Sequence, residues 1–247
     1  MKRERIDKLL VDRRLVESRT KAQALIMAGS VLVDEKRVEK PSEVYPPDSN
    51  IRVKGDGPES RYVGRGGLKL EAALLHFKIS PAGLVCIDIG SSTGGFTDCL
   101  LQHGAEKVAA VDVGTNQLVW SLRNDERVIV MENTNARELT PDRFPEKFDL
   151  GVMDVSFISV KKLLPVLSLL LTENGRIITL IKPQFEVGKG EVGKGGVVRE
   201  PEKHERVVAE ITSFAEEIGL RPAGVIESPI LGAAGNMEFL ALYEKGG

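Results

Sequence analysis

The feature that most constrains the fold is a regular alternation of short apolar runs with helix-like segments, which begins near residue 84. Runs such as LVCIDIG, KVAAVDVG and GRIITLIK have the composition of buried strands, and amphipathic segments such as HERVVAEITSFAEEIG lie between runs of this kind. This alternation is typical of a doubly wound α/β sheet with helices on both faces. The last two runs, AGVIES and MEFLALY, have no helix between them, so they are predicted to form an antiparallel hairpin at the sheet edge.

The first 58 residues are predicted to form a separate small α+β domain. RERIDKLLVDRRL places Ile6, Leu9 and Leu10 on one face of a short helix, and charged residues cover the rest. Ser18 is a candidate cap for a second helix, which is followed by short β-rich pieces between turn-forming residues.

Residues 59–66 are rich in glycine and charge and are predicted to be a linker, which leaves residues 67–247 as the larger domain. This domain is predicted to open with the helix GLKLEAALLHF. Leu68, Ala72 and Leu75 are predicted to lie on one face of this helix.

Several classes of protein are disfavoured by composition. The longest apolar stretch, Val160 to Leu171, is interrupted by two lysines and a proline and is too short to cross a bilayer, so no membrane span is predicted. The amino terminus lacks the apolar core of a secretory signal, so the chain is expected in the cytoplasm. Cys86 and Cys99 are predicted to be buried thiols. Because the two cysteines and three histidines show no ligand spacing, no metal site is predicted.

The strongest local signal is CIDIGSSTGGF, residues 86–96, where a buried strand continues through a Gly-rich turn into a helix. In an open α/β sheet this turn binds nucleotide-like ligands. The glycine spacing departs from G-x-G-x-x-G, which disfavours an NAD-linked oxidoreductase. S-adenosylmethionine has no phosphate and suits such a turn, and Asp112, at the end of the next strand, can take up ribose hydroxyls. An ordinary tight turn with a surface aspartate is the alternative.

A second Gly-rich segment, GKGEVGKGG at residues 188–196, resembles a phosphate-binding loop. Gly195 stands where Ser or Thr should bind Mg²⁺, and Pro183 and Gln184 intervene after the preceding strand, so a nucleoside triphosphatase is rejected. A flexible, lysine-bearing lid over an active site, or simply a mobile loop, is the preferred interpretation.

Four ionisable residues are expected at the carboxyl edge of the sheet: Lys69, Asp154, Lys182 and Glu238. Asp154 ends the run FDLGVMD and Lys182 ends GRIITLIK, so both side chains can face the ligand crevice. Each alone is more often a solvated surface charge. A lysine that ends an otherwise apolar strand, however, needs a carboxylate partner if it is buried.

The start of the chain is a basic pole, although the net charge of the whole chain is -2. Residues 1–21 carry eight Lys or Arg and four Asp or Glu, an excess of four positive charges. Such clustering is the electrostatic footprint of nucleic-acid binding, with a solvated helix face as the alternative for any one residue. The candidate RNA contacts are Arg3, Arg5, Lys8, Arg13, Arg14, Arg19 and Lys21, with Arg61 and Arg65 of the linker region.

These motifs together resemble a known family. RGGLKLEAAL, DIGSSTGGFTDCLL, VDVGTNQL, MDVSFIS, LIKPQFE and NMEFL resemble the FtsJ-like ribose 2′-O-methyltransferases, and the N-terminal unit resembles an S4-type RNA-binding domain. The whole chain resembles the TlyA family, known as ribosomal RNA cytidine 2′-O-methyltransferases and by the older label haemolysin. The resemblance implies a Rossmann-like, seven-stranded methyltransferase sheet, S-adenosylmethionine as cofactor, and ribosomal RNA or ribosomal subunits as partner.

The resemblance also implies roles for individual residues. Lys69, Asp154, Lys182 and Glu238 correspond to a catalytic tetrad. The implied cofactor-binding residues are Asp88, Gly90, Ser91, Thr93, Gly94, Gly95, Phe96, Asp112, Asn135 and Asp154.

Methyl transfer to a ribose hydroxyl is an in-line displacement, so the protein must align and activate a weakly acidic nucleophile. Lys182 is expected to orient the hydroxyl and favour its alkoxide character, and Asp154 is expected to hold Lys182. Lys69 and Glu238 are expected to complete an alternating charge network. Whether Lys182 itself accepts the proton is left open.

Two functions of other classes remain as alternatives. A membrane-active cytolysin is suggested by the older family label, but the sequence has neither a transmembrane run nor a long amphipathic helix with a basic polar face. The other alternative is an RNA-binding protein that keeps the cofactor fold without turnover.

Overall fold

The computed structural model describes residues 3–34, 36–53, 61–188 and 190–246. The chain divides into two compact units, Met1–Arg61 and Tyr62–Gly247. Part of the linker predicted at 59–66 lies outside the described residues, as does Lys189 of the predicted lid.

The N-terminal unit combines two short helices with small antiparallel sheets. The helices are α1 (Ile6–Asp12) and α2 (Arg19–Met27), and the strands are β1 (Glu4–Arg5), β2 (Val31–Val33), β3 (Lys36–Arg37), β4 (Val44–Tyr45) and β5 (Ile51–Val53). β1 pairs with β4, and β3, β2 and β5 form a three-stranded sheet. Ser18 accepts a hydrogen bond from the amide of Lys21, as predicted for a helix cap. Ile6, Leu10 and Ile26 are fully buried in the core of this unit.

The C-terminal unit contains a seven-stranded sheet in the order β11-β12-β10-β9-β6-β7-β8. Its strands are β6 (Val85–Ile89), β7 (Lys107–Val111), β8 (Val128–Met131), β9 (Phe148–Met153), β10 (Leu171–Ile181), β11 (Leu220–Glu227) and β12 (Phe239–Lys245). The five strands from β10 to β8 are parallel. β12 is antiparallel to β10, and β11 pairs antiparallel with β12 at the edge. The predicted doubly wound sheet and terminal hairpin are therefore confirmed.

Helices cover both faces of this sheet. They are α3 (Gly66–Phe77), α4 (Gly95–Gln102), α5 (Trp120–Arg123), α6 (Leu164–Leu170), α7 (Pro183–Glu186) and α8 (Pro201–Glu217). α3, α4 and the region of α5 pack on one face, and α6 and α8 pack on the other. Because both faces are buried, the central strands are almost continuously apolar.

The apolar face predicted for α3 is displaced from the buried one, because Leu68 and Ala72 are only half-buried. Leu70, Ala73 and Leu74 are buried, whereas Leu75 is 70% exposed. The buried face follows from packing against α4 and the sheet, and Lys69 also points inward from it. The buried face of α3 is therefore rotated about the helix axis from the apolar face that the sequence suggests.

Two smaller predictions concern the cysteines and the membrane. Cys86 and Cys99 are buried free thiols, as predicted, and burial raises the pKa of each to about 12. Within the described residues, no helix combines the length and apolar character needed to cross a membrane.

Candidate functional site

Several predicted residues meet at the carboxyl edge of the sheet, because parallel strands end on the same side. β6 leads into Gly90, β7 into Asp112, β9 into Asp154 and β10 into Lys182. The antiparallel strand β12 runs the other way, so Glu238, which precedes it, lies at this edge too. Its neighbour Phe239 is paired with Ile181 at the end of β10.

The first of two lysine–carboxylate pairs joins Lys182 to Asp154. The two side chains approach to 2.6 Å, between Lys182 Nζ and Asp154 Oδ1. The geometry is that of an ion pair without a well-directed hydrogen bond, so Asp154 Oδ1 has no hydrogen-bond partner. The ammonium instead donates a hydrogen bond to Ser156 Oγ at 2.9 Å. The carboxylate of Asp154 and the hydroxyl of Ser156, which are two residues apart in the chain, thus hold the Lys182 ammonium.

The second pair joins Lys69 of α3 to Glu238. Lys69 Nζ donates to Glu238 Oε2 at 2.6 Å, and both residues are buried. Gln184 Nε2 donates to the other oxygen, Glu238 Oε1, at 3.4 Å. Gly232 lies directly against this carboxylate and leaves no room for a side chain. Glu238 is therefore enclosed on several sides.

The four side chains therefore form two separate pairs and not the single alternating network that was predicted. Among the described residues, no hydrogen bond or ion pair runs directly from one pair to the other. Gln184, two residues after Lys182, provides the nearest bonded link to Glu238.

The Gly-rich turn after β6 has tight backbone geometry. Gly90 has a φ of +85°, and a side chain there would collide with the backbone carbonyl of Asp154. Gly94 has a φ of +102° and packs against Leu118 and Leu122 at the start of α4. A residue with a Cβ is strained at both positions.

Asp88 lies beneath this turn and is fully buried. Thr97 Oγ1 donates to Asp88 Oδ2 at 2.7 Å, and Oδ1 has no hydrogen-bond partner. Burial, opposed by the Thr97 hydrogen bond, raises the pKa of this carboxyl to about 7. Asp88 faces α4, because it shares a face of β6 with Cys86.

Two cavities open at this edge. The larger, of about 480 Å³, is lined by residues that include Gly90, Ser92, Val113, Asp112, Asn135, Asp154, Ser156 and Phe157. The smaller, of about 210 Å³, is lined by residues that include Arg65, Gly90, Ser91, Ser92, Thr93, Gly95, Phe96, Asp154, Ser156 and Lys182. Gly90, Ser92, Asp154 and Ser156 line both, so the cavities share a wall. Of the predicted cofactor residues, Asp88 and Gly94 line neither.

Asp112 and Asn135 line only the larger cavity, whereas Lys182 lines only the smaller one. Asp112 accepts hydrogen bonds from the amides of Ser92 at 2.8 Å and Gly114 at 2.7 Å, which fixes its carboxylate. Asn135 caps the 3-10 turn Ala136–Glu138 by accepting from the amide of Arg137 at 3.2 Å.

Some residues of the site were not predicted from the sequence. Ser156 and Phe157 belong to the motif MDVSFIS and Gln184 to LIKPQFE, but neither motif gave them a role. Phe157 is 90% exposed, has a φ of +64° and packs against Phe185, with ring centroids 4.9 Å apart. An exposed aromatic in a strained conformation at a cavity rim is a signal that only the structure supplies.

Another missed residue is Glu132, after β8. Its carboxylate accepts from the amides of Asn116, Gln117 and Leu118 and from Arg123. The Arg123 hydrogen bond is the main cause that lowers the pKa of Glu132 to about 2. This carboxylate shapes the loop that follows Asp112.

The structure leaves the candidate RNA-binding residues exposed, except for Arg13, which is half-buried. Several are tied to acids or carbonyls: Arg5 and Arg19 to Asp7, Lys8 to Glu4 and Asp12, Arg13 to the carbonyls of Pro47 and Ser49, and Lys21 to Glu17. Arg3, Arg14, Arg61 and Arg65 are exposed, and Arg65 lines the smaller cavity. Within the described residues, Arg14 forms no side-chain hydrogen bond or ion pair.

The predicted lid follows α7. Glu191 pairs with Arg206 of α8 at 2.7 Å, and the buried Asn236 binds both the amide of Val198 and the carbonyl of Gly196. The part of this segment that the structure describes is therefore tied to α8 and to the residues just before β12. Across the described residues, no cluster of three or more His, Cys, Asp or Glu is arranged to hold a metal ion.

Comparison with known proteins identifies both units. The FtsJ-like methyltransferase family model matches residues 62–245, and the S4 domain model matches residues 4–51.

Individual relatives cover almost the whole chain. The 16S/23S rRNA (cytidine-2′-O)-methyltransferase TlyA of Mycobacterium tuberculosis is 47% identical over 238 residues, which span 96% of this chain and 88% of that protein. Hemolysin A of Brachyspira hyodysenteriae is 43% identical over 97% of this chain and 99% of its own length. A solved structure of a hemolysin-named protein from Streptococcus thermophilus has a TM-score of 0.77 and 46% identity, covering 100% of this chain and 90% of that one. The chain therefore belongs to the FtsJ-like methyltransferase family, as a TlyA-type member in which an S4 domain precedes the methyltransferase domain.

Proposed function

We propose that this chain is an S-adenosylmethionine-dependent ribose 2′-O-methyltransferase that acts on ribosomal RNA, with cytidine as the modified nucleoside. One observation carries the proposal: the ammonium of Lys182, fixed by Asp154 and Ser156, lines one of two cavities that share a wall. The chemical specificity is supported by relatives named as rRNA cytidine-2′-O-methyltransferases.

The larger cavity fits the proposed cofactor. Its volume of about 480 Å³ suits a nucleoside-sized ligand. Apolar side chains such as Ile89, Val113 and Ile158 suit an adenine ring, while Asp112 offers a fixed carboxylate for ribose hydroxyls. The absence of a side chain at Gly90 lets the backbone of Asp154 pack directly against this turn, so the two together form part of the cavity wall. Asp154, on the shared wall, is a negative group suited to a neighbouring sulfonium.

The smaller cavity fits the acceptor ribose. Lys182 and Arg65 line it, so it offers positive charge to a ribose hydroxyl and the adjoining phosphate. Phe157, at the rim of the larger cavity, presents an exposed ring on which an unstacked base can lie.

When bound, S-adenosylmethionine supplies a methyl group on a sulfonium that is already a good leaving group. Lys182 donates a hydrogen bond to the attacking 2′-oxygen and stabilises the negative charge that develops there as the hydroxyl proton passes to water. Asp154 and Ser156 keep the ammonium in place, so little reorganisation is needed as the reaction proceeds. Lys69 and Glu238 act behind this pair, as a buried ion pair that fixes α3 against the start of β12.

The direct test is transfer of a labelled methyl group to purified small and large ribosomal subunits and to protein-free rRNA. We expect incorporation at one or a few cytidines, with the label in a nucleoside whose neighbouring phosphodiester resists alkaline cleavage, as 2′-O-methylation requires. Label on a base would contradict the proposed acceptor. Calorimetric binding of the cofactor without transfer to any ribosomal substrate would favour a non-catalytic RNA-binding protein instead.

A further inference from the structure

The segment from Asp154 to Val160, which leads from β9 into the 3-10 turn Val160–Lys162, forms much of the wall between the two cavities. It carries Asp154 and Ser156, the two groups that hold Lys182. Its path therefore decides where the ammonium lies.

This segment is fixed at its start by the sheet. The amide of Asp154 donates to the carbonyl of Ile89 at 3.0 Å, which continues the pairing of β9 with β6. Three residues later Phe157 has a φ of +64°, a conformation that costs a non-glycine residue on the order of 1–3 kcal/mol. Such strain persists only where other contacts hold the chain on both sides.

The contact on the other side is Glu186. Its Oε2 accepts from Ser159 Oγ at 2.6 Å, and its Oε1 accepts from the amide of Val160 at 2.8 Å. The two oxygens of one carboxylate thus bind two successive residues at the end of the segment. Burial raises the pKa of this carboxyl despite both hydrogen bonds, as expected for a group enclosed between two pieces of chain.

Glu186 ends α7, the short helix for which Lys182 is the residue before the first turn. The helix and the residue before it therefore bind the 154–160 segment at two points. Lys182 holds Asp154 and Ser156 at one end, and Glu186 holds Ser159 and Val160 at the other, with Phe185 against Phe157 between them.

We propose that Glu186 is a positioning residue, which sets the 154–160 segment so that Ser156 keeps the Lys182 ammonium aimed into the smaller cavity. Glu186 lines neither cavity itself and acts only through this segment. The inference rests on the proposed function for its catalytic consequence, but its structural part is independent of it.

The test compares Glu186→Ala and Glu186→Gln with Glu210→Ala in the full-length chain. Glu210 is a matched control, because it contacts Lys161 of the same turn at 3.4 Å without touching the segment 154–160. We expect Glu186→Ala to lower kcat about tenfold, because small displacements of a catalytic group are costly. Glu186→Gln, which keeps one oxygen acceptor, should lie between, and Glu210→Ala should match the wild type.

A double-mutant cycle separates positioning from general loss of stability. If Glu186 acts through Ser156, then Glu186→Ala has little further effect on kcat in a Ser156→Ala background. Fully additive losses, or an unchanged kcat in Glu186→Ala, would overturn the inference.

Amide hydrogen exchange supplies a readout that needs no activity. Exchange in a peptide covering residues 154–160 should quicken in Glu186→Ala and stay unchanged in Glu210→Ala. If the wild type transfers no methyl group to ribosomal RNA, the proposed function fails, and the exchange result alone then decides the positioning role. Unchanged exchange in Glu186→Ala rejects that role in either case.

Discussion

The two lysine–carboxylate pairs of the C-terminal unit have the same separation of 2.6 Å but lie in different surroundings. The side chains of Lys69 and Glu238 are 11% and 2% exposed, and neither residue lines a described cavity. Those of Lys182 and Asp154 are 11% and 21% exposed, and both face the smaller cavity. The surroundings therefore separate the two pairs: one is enclosed and joins α3 to the residue before β12, and the other has a side open to a cavity.

Two other buried carboxylates extend this comparison. Asp7, in the N-terminal unit, binds Arg5 and Arg19, and the Arg5 hydrogen bond is the main cause that holds its pKa far below the ordinary value. Asp88 is hydrogen-bonded by Thr97, with no cation among its described partners, and burial raises its pKa. The partner of a buried carboxylate thus decides whether it is held as an anion.

The largest effect is expected from the open pair. Lys182→Ala should lower kcat for methyl transfer about a thousandfold, equivalent to ~4 kcal/mol in the barrier, because the cation at the developing oxyanion is lost. Cofactor binding, measured by calorimetry, should remain close to wild type. Lys107→Ala is the control, since it removes an exposed ion pair with Glu146 at the opposite edge of the sheet. Retention of activity in Lys182→Ala would remove the distinction between the two pairs.

The enclosed pair should show its largest effect in stability. Lys69→Ala leaves the carboxylate of Glu238 buried without its cation, which we expect to cost about 3 kcal/mol in the free energy of unfolding. Urea unfolding measures this loss. The double variant Lys69→Met with Glu238→Gln should recover part of it, because no uncompensated charge then remains. Equal destabilisation by Lys182→Ala would show that the open side of that pair makes no difference.

The sequence predicts the residues of these pairs more successfully than their arrangement. Asp154 and Lys182 end apolar runs, and parallel strands bring such ends together, so their meeting follows from topology. Periodicity cannot tell that the tetrad separates into two pairs, because this depends on the path of loops such as 228–238. Nor can it tell which of two neighbouring stripes of α3 is buried, since Leu75 is as apolar as Leu74.

Loop contacts were the least predictable part of the site. The contacts of Ser156, Phe157 and Glu186 depend on the positive φ of Phe157. No local pattern of residue types indicates that conformation. Asp88 was predicted to contact the cofactor, but the alternation along β6 turns its side chain toward α4. An acidic residue in the strand before a Gly-rich turn can therefore bind the helix that follows the turn instead of the ligand.

The pH dependence of the unfolding free energy tests whether Asp88, a buried carboxylate without a described cation partner, keeps its proton in the folded state. Its pKa of about 7 lies above the ordinary value, so the folded state keeps the proton longer than the unfolded state. Between pH 4 and pH 7 the free energy of unfolding therefore falls as pH rises, by at most ~1.4 kcal/mol per unit.

Asp88→Asn removes this titration at nearly constant shape. Relative to the wild type, the variant should gain about 2 kcal/mol of unfolding free energy on going from pH 5 to pH 7, as measured by urea unfolding. Parallel curves for the two proteins would mean that Asp88 stays charged in the fold.

The smallest effects are expected at the basic surface of the N-terminal unit, where Arg14 and Arg19 form a matched comparison. Arg19 is bound to Asp7, so Arg19→Ala should lower the unfolding free energy of this unit by about 1 kcal/mol. Arg14 is exposed with no ion pair among the described residues, so Arg14→Ala should leave stability unchanged and weaken rRNA binding only about threefold.

Fluorescence anisotropy at several salt concentrations checks the Arg14 prediction. Loss of one phosphate contact should reduce the slope of log affinity against log salt by about 0.7–0.9. An unchanged slope, with stability lost instead, would show that Arg14 serves the fold as Arg19 does. In that case only the C-terminal unit would contain both kinds of cation: one that neutralises a buried acid and one that is open to a ligand.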